Sequence, residues 1–243
     1  MIVILDTETT SLKDPRVVEA AIAIIPKHGD LNAVSMMSER YKPPVPIEIG
    51  AMATHGITED DVENSPKFEE GEIIKWLNEN NTEDNIMVIH NASFDLGVLK
   101  NEGVEIKMKI IDTLRCCKKI FMNMPNVEVN LQYLKYYLFL YREEKPPAIQ
   151  EASADAHSAG GDVATLYLMF RRMVNRYGLD ELVEMSSKPV FYEIMPFGKH
   201  KGKRISDMVQ KEKGYVTWAL KEMDDQDVLY TIKYHMKVNA SNK

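Results

Sequence analysis

Asp6 and Glu8 flank Thr7 at the end of the apolar run Ile2-Val3-Ile4-Leu5. In a strand, residues two apart share a face. Two acids side by side on one face of an apolar strand repel and lose hydration unless a cation lies between them. A hard divalent ion with oxygen ligands, Mg²⁺ or Mn²⁺, is such a cation. The same pair also fits a turn just past the strand with both acids solvated. A second cluster, His90-Asn91-Ala92-Ser93-Phe94-Asp95, follows the run Ile86-Met87-Val88-Ile89 and opens a helix. Asp95 then stands in a first helical turn at a strand's carboxyl end, where open α/β sheets hold ligands. A helix N-terminus alone also favours an acid there, and loop hydrogen bonding accounts for His90 and Asn91. The third cluster runs from Asp155 through His157 and Gly160-Gly161 to Asp162. His157 and Asp162 are separated by about 500° of helical rotation. They occupy neighbouring faces, so Asp162 can reach a metal while His157 leans over it, or His157 can lie on a surface helix. The paired glycines mark either the start of the helix or a close approach, and Asp155 fits an N-cap.

The elements that must hold these residues read as follows. Ile2 to Leu5, Val17 to Ile25 and Ile86 to Ile89 are apolar and rich in β-branched residues, as buried strands are. In the second of these Glu19 is the one acid. Thr58 with Asp61 forms a capping box for a short helix. Helices are expected over Phe68 to Asn78, Phe94 to Asn101, a segment capped by Asp112-Thr113, Leu131 to Leu140 and, longest, Asp155 to Tyr177. The stretch from Tyr41 to Pro46 reads as extended or loop. Strands come early and helices dominate later, which predicts an α/β fold with a central sheet.

The composition is compatible with this and excludes several classes. The 243 residues are 44% hydrophobic and 28% charged, with 12 Gly and 11 Pro, values that exclude a fibrous or wholly disordered chain. The net charge of −7 is unevenly spread. Residues 1–188 hold 20 Lys and Arg against 30 Asp and Glu, and residues 189–243 hold 10 against 7. An acidic body therefore precedes a basic tail, with Ser186-Ser187-Lys188-Pro189 as the expected boundary between a domain over 1–180 and a small module over 190–240. The acidic total excludes a histone-like coat for nucleic acid but leaves room for a nucleic-acid enzyme with a local basic patch. Cys116 and Cys117 are adjacent and form no zinc-type spacing, which suits buried thiols in a reducing compartment. The initial apolar run is too short for a signal segment, and nothing approaches a membrane span. The expectation is a soluble cytoplasmic protein.

In order and spacing, Asp6-x-Glu8, His90-Asn91-x-x-Phe94-Asp95 and His157-x4-Asp162 resemble the DEDDh, or DnaQ-like, 3′–5′ exonucleases. Thr9-Thr10-Ser11-Leu12 continues the first motif, with Ser11 where the family usually has Gly. His55-Gly56-Ile57-Thr58 resembles a further family segment. The likeness covers about residues 1–178. Met195 to Lys203, followed by Gly214-Tyr215-Val216-Thr217-Trp218, resembles the tail of the exonuclease X-like group within that family. Gly198 to Lys203 is not a phosphate-binding P-loop, because the glycine spacing is short and Arg204 stands where Ser or Thr is needed.

The resemblance implies an RNase H-like α/β fold, a central mixed sheet flanked by helices, with a small basic C-terminal module. It implies metal-dependent hydrolysis of nucleic acid, DNA first, from a single-stranded 3′ end, releasing nucleoside 5′-monophosphates. Two divalent ions, Mg²⁺ or Mn²⁺, would be held by Asp6, Glu8 and Asp162, with Asp6 bridging and Asp95 supporting the second ion. His157 would be the general base, its ordinary pKa suiting neutral pH. Thr9, Leu12, His55, Asn91 and Phe94 would contact the terminal nucleotide, Leu12 as a wedge against its base. For these residues packing or turn hydrogen bonding is the competing account, and Trp218 is expected in the tail's own core. The alternatives are an RNA-trimming enzyme, a polymerase proofreading subunit, or an inert nuclease-like nucleic-acid-binding module; DNA repair is the expected setting, with proofreading and degradation left open. Monomer and homodimer both remain open, the apolar stretch Leu131 to Leu140 being the face on which two copies would pair.

Overall fold

A computed structural model describes residues 1–26, 30–122, 124, 126–153 and 158–241. Five strands form one mixed sheet in the order β3-β2-β1-β4-β5. They are β1 (Ile2–Thr9), β2 (Val17–Ile25), β3 (Ser35–Arg40), β4 (Ile86–Ile89) and β5 (Lys109–Asp112). β2 runs antiparallel to both β1 and β3, whereas β4 is parallel to both β1 and β5. The α/β expectation, with a central mixed sheet flanked by helices, holds.

Parity along β1 sorts the two layers. Ile2 and Ile4 enter one apolar cluster with Val163, Leu166 and Phe170 of the long helix α8 (Ala159–Tyr177). Val3 and Leu5 enter the other with Ile73 and Leu77 of α3 (Glu72–Asn80) and Val98 and Leu99 of α4 (Ala92–Asn101). Asp6 and Glu8 continue the even-numbered face and therefore look toward α8. Pairing of β1 with β4 ends at Ile4 opposite Val88, while β2 stays paired with β1 through Thr9. The last half of β1 thus projects past its parallel neighbour and leaves a cleft where α4 begins.

Several elements differ from the sequence expectation. β1 does not stop at Asp6, because antiparallel pairing with β2 carries it on, so both acids lie within the strand rather than in a turn beyond it. β3 and β5 did not stand out because their sequences, SMMSER and KIID, mix polar and apolar residues. The helix expected from Phe68 begins as a 3-10 turn (Phe68–Glu70), with α3 restarting at Glu72. A Cβ at Gly71 would lie 2.4 Å from the Tyr41 ring, so close approach requires glycine there. The stretch from Leu131 is α6 (Leu131–Tyr137), followed by a 3-10 turn at Leu140–Arg142. α8 starts at Ala159, which puts Gly160 and Gly161 in its first turn. The Thr58–Asp61 capping box is present, with Asp61 accepting the Thr58 N–H at 2.8 Å.

Residues 190–232 gather a separate apolar cluster, including Val190, Met195, Ile205, Met208, Val216 and Ile232. Trp218, expected in that core, is instead 48% exposed. Met195 and Lys203 pair across a hairpin with glycines at positive φ, Gly198 at 71° and Gly202 at 86°. This hairpin holds Lys199, Lys201 and Lys203 out into solvent. The segment is tied to the body by Arg115 of α5 (Thr113–Ile120), which pairs with buried Asp227 at 3.2 Å and donates to the Ser186 and Lys188 carbonyls. Cys116 and Cys117 are buried free thiols. Among the described residues no helix is long and apolar enough to cross a membrane.

Candidate metal centre

Asp6, Glu8 and Asp162 each place a carboxylate oxygen within 4.8 Å of the other two. Two of them come from the projecting end of β1 and the third from the first turn of α8, whose N-terminal dipole favours an acid. Burial pushes Asp6 well above the ordinary carboxylate range, and the charges of Asp95, Asp162, Glu8 and Glu19 add to it. Burial, then Asp162, Glu19 and Asp95, push Glu8 up to about 8. Like charges this close are a standing electrostatic cost, which a cation would turn into a ligand field. An all-oxygen, anionic donor set of this kind fits a hard divalent ion.

Asp95 is almost wholly buried and stands at the rim of the same cleft. Thr7, of opposite parity to Asp6 and Glu8, donates its hydroxyl to Asp95 at 2.7 Å. Burial pushes Asp95 up to about 7 against the lowering effect of that hydrogen bond. The position of α4 is set by Asp112 at the end of β5. Its carboxylate accepts the N–H groups of Asn91 and Ala92 at 3.2 Å and those of Leu114 and Arg115 at 2.9 and 3.2 Å. One side chain therefore caps the helix that carries Asp95 and also α5, satisfying donors that every helix start leaves open.

Two further residues complete the frame, and neither belongs to the sequence motifs. Glu19 sits opposite Glu8 in the β1–β2 register. It is buried, pairs with Arg40 at 3.1 Å and accepts the Ala159 N–H at 2.8 Å. It thus clamps the start of α8, three residues before Asp162 in the numbering, to the sheet. Its one sequence signal was an acid alone in an apolar strand. Gln132 at the start of α6 donates its side-chain amide to Asp162, and nothing in its sequence context distinguishes it.

The expected nucleotide contacts surround the cleft unevenly. Thr9 is buried beside a bulge between Glu8 and Thr9, and its hydroxyl donates to the Ser11 carbonyl at 3.1 Å. His55 is buried with both ring nitrogens engaged. Nδ1 accepts the Ile57 N–H at 3.0 Å, so Nε2 carries the proton and donates to the Thr9 carbonyl at 3.2 Å. Burial lowers its pKa. Leu12 is 88% exposed at the tip of the following loop. That loop is held by Arg16, which pairs with Glu102 at 2.6 Å. Asn91 is exposed at φ 74°, where a short polar side chain tolerates the left-handed region. Phe94 is half-buried against the α4 cluster. His90 makes loop hydrogen bonds, 2.9 Å to both Thr113 Oγ1 and the Val129 carbonyl. His157 and Asp155 lie outside the described residues.

Residues 3–170 match the exonuclease (RNase T) family. Exodeoxyribonuclease 10 of Escherichia coli strain K12 is 26% identical over 98% of this chain and 99% of its own length. The DNA polymerase III epsilon subunit of Buchnera aphidicola subsp. Schizaphis graminum is 31% identical over 51% of this chain and 58% of its own. Among solved structures, exonuclease X in complex with 5′ overhanging duplex DNA superposes with a TM-score of 0.60 at 26% identity, covering 77% of this chain and all of that one. The nuclease domain of 3′hExo, a DEDDh family member bound to rAMP, gives 0.52 at 13% identity over 73% of this chain and 94% of its own, a likeness of fold.

Proposed function

The chain belongs to the exonuclease family, and on that footing we propose that it removes nucleoside 5′-monophosphates from single-stranded 3′ ends of DNA, using two Mg²⁺ or Mn²⁺ ions. The observation that carries this reading is the mutual approach of Asp6, Glu8 and Asp162 within 4.8 Å. Asp6, Glu8 and Asp162 would hold the first ion, and Asp6 and Asp95 would support the second. When bound, such ions would neutralise the phosphate's charge and make the attacking water more acidic. His157 takes the proton from that water. Thr7 keeps Asp95 aimed at the cleft, and Gln132 and Glu19 fix the carboxylate of Asp162 and the helix that bears it. Thr9 and His55 shape the bulged backbone beside the cleft for the terminal nucleotide. Leu12 wedges against its base, and Asn91 and Phe94 line the side where α4 begins.

DNA is favoured over RNA because a relative aligned over nearly the whole chain is an exodeoxyribonuclease. That alignment also extends through the tail. Residues 190–240 act as a small basic module, its hairpin lysines tracking the strand's phosphates.

The test is incubation of the purified chain, with Mg²⁺ or Mn²⁺, with single- and double-stranded DNA and RNA labelled at the 5′ end. A ladder descending from the 3′ end, strongest on single-stranded DNA, is the expected result. No release in either metal would overturn the reading, and a ladder on RNA alone would replace its substrate.

A further inference from the structure

α6 starts at the metal centre and leads away from it. Gln132 contacts Asp162, and four residues later the same helical face presents Tyr136, 62% exposed. Phe139 follows, with φ at 55°, in the left-handed region that a bulky aromatic residue rarely enters. Its ring is 52% exposed, so no core packing accounts for that backbone. The conformation brings Phe139 to 6.3 Å from Tyr141, whose ring in turn lies 5.7 Å from Tyr136. The guanidinium of Arg142 lies 4.9 Å from the Phe139 ring and 5.3 Å from the Tyr141 ring. The adjacent acid, Glu143, is turned to Arg171 and Arg172. The result is a row of exposed, mutually tilted rings with a cation over them, continuous with the catalytic carboxylates.

We propose that Tyr136, Phe139, Tyr141 and Arg142 form a stacking platform for the bases of a single strand whose 3′ end occupies the metal centre. The inference rests on the exonuclease reading. With the terminal nucleotide in the cleft, the rest of the strand must leave the cleft, and this ladder starts one helical turn from Asp162's partner. Exposed aromatic rings stack on any base, and arginine adds a cation for both rings and phosphates. The tilts of 46° and 49° between rings and the guanidinium suit separate bases better than the flat, dry face of a second copy.

The test uses the full chain in EDTA, which separates binding from turnover. Anisotropy of 5′-labelled oligothymidine of 20 residues is measured for the wild type, Phe139→Gly, Tyr141→Ala and Arg142→Ala. Glycine suits the positive φ at position 139, so Phe139→Gly removes the ring while keeping the fold, checked by its melting curve. The expected result is Kd for the 20-mer raised about tenfold in Phe139→Gly and Tyr141→Ala, with a much smaller change for a trinucleotide. Binding within twofold of wild type in both variants, or no binding by the wild type, overturns the platform. A dimer in light scattering that Phe139→Gly dissociates without changing Kd assigns the face to a second copy and also overturns it. Ring-dependent binding by a wild type that releases no nucleotide in Mg²⁺ or Mn²⁺ would sink the exonuclease reading and leave the platform standing.

Discussion

Glu19 Oε2 accepts the Ala159 N–H at 2.8 Å, so the strand beside β1 grips the first residue of the helix that supplies Asp162. The same carboxylate pairs with Arg40 and adds negative charge next to Glu8. It holds two parts of the candidate metal centre together while raising the electrostatic cost of the carboxylate cluster without a cation.

Glu19→Gln removes the charge but keeps the shape. Its pairing with half-exposed Arg40 limits the stability loss to about 1–2 kcal/mol. Displacement of Asp162 should lower kcat about tenfold and raise the Mg²⁺ concentration needed for half-maximal rate, with KM for the oligonucleotide little changed. Because one like charge is gone, the acid limb of the pH–rate profile should move to lower pH. A purely structural role would change the melting curve and leave that limb in place.

Asp6→Asn should abolish turnover, by a thousandfold or more, and yet raise the melting midpoint of the metal-free protein. The native acid lies half-buried among four others, and the neutral amide removes their repulsion. A gain of about 1 kcal/mol corresponds to roughly 2–4 °C for a chain of this size. Calorimetry in EDTA checks it, and a lower midpoint would contradict the repulsion.

The metal-free protein should lose stability as pH rises. Glu8 at about 8 and Asp95 at about 7 lie above their unfolded values, so the folded chain holds protons that the unfolded chain has released. Their stabilising contribution is complete below about pH 4 and is lost as pH climbs through 7 and 8. Under the proposed function Mg²⁺ would take the place of those protons. The rise in melting midpoint on adding Mg²⁺ should therefore be larger at pH 8.5 than at pH 5.5, measured in paired scans at each pH.

Asp112→Ala should be costly although Asp112 touches no proposed ligand. It uncaps two helices at once, with an expected loss of roughly 2 kcal/mol and a fall in melting midpoint of about 4–8 °C. Activity per folded molecule should also drop, because α4 carries Asp95. Urea melts combined with kcat at low temperature separate the two effects.

The sequence by itself determined the buried strands β1, β2 and β4 and the acids beside them, Asp6, Glu8 and Asp95. Asp6 and Glu8, two apart, share a face wherever β1 continues through them, and Asp95 at a helix start follows the carboxyl end of β4. Local spacing fixes such relationships, because strand and helix periods are properties of the backbone. The tertiary structure decided which distant groups complete the centre. Glu19 clamping Ala159, Thr7 donating to Asp95, Gln132 reaching Asp162 and Asp112 capping α4 join residues 20 to 140 positions apart. It also extended β1 to Thr9, because β2 supplies hydrogen bonds past the point where the apolar run ends, and it left Trp218 at the surface because smaller residues fill the tail's core. A side chain's partner across the fold depends on how helices and sheet pack, and no periodicity in the chain encodes that.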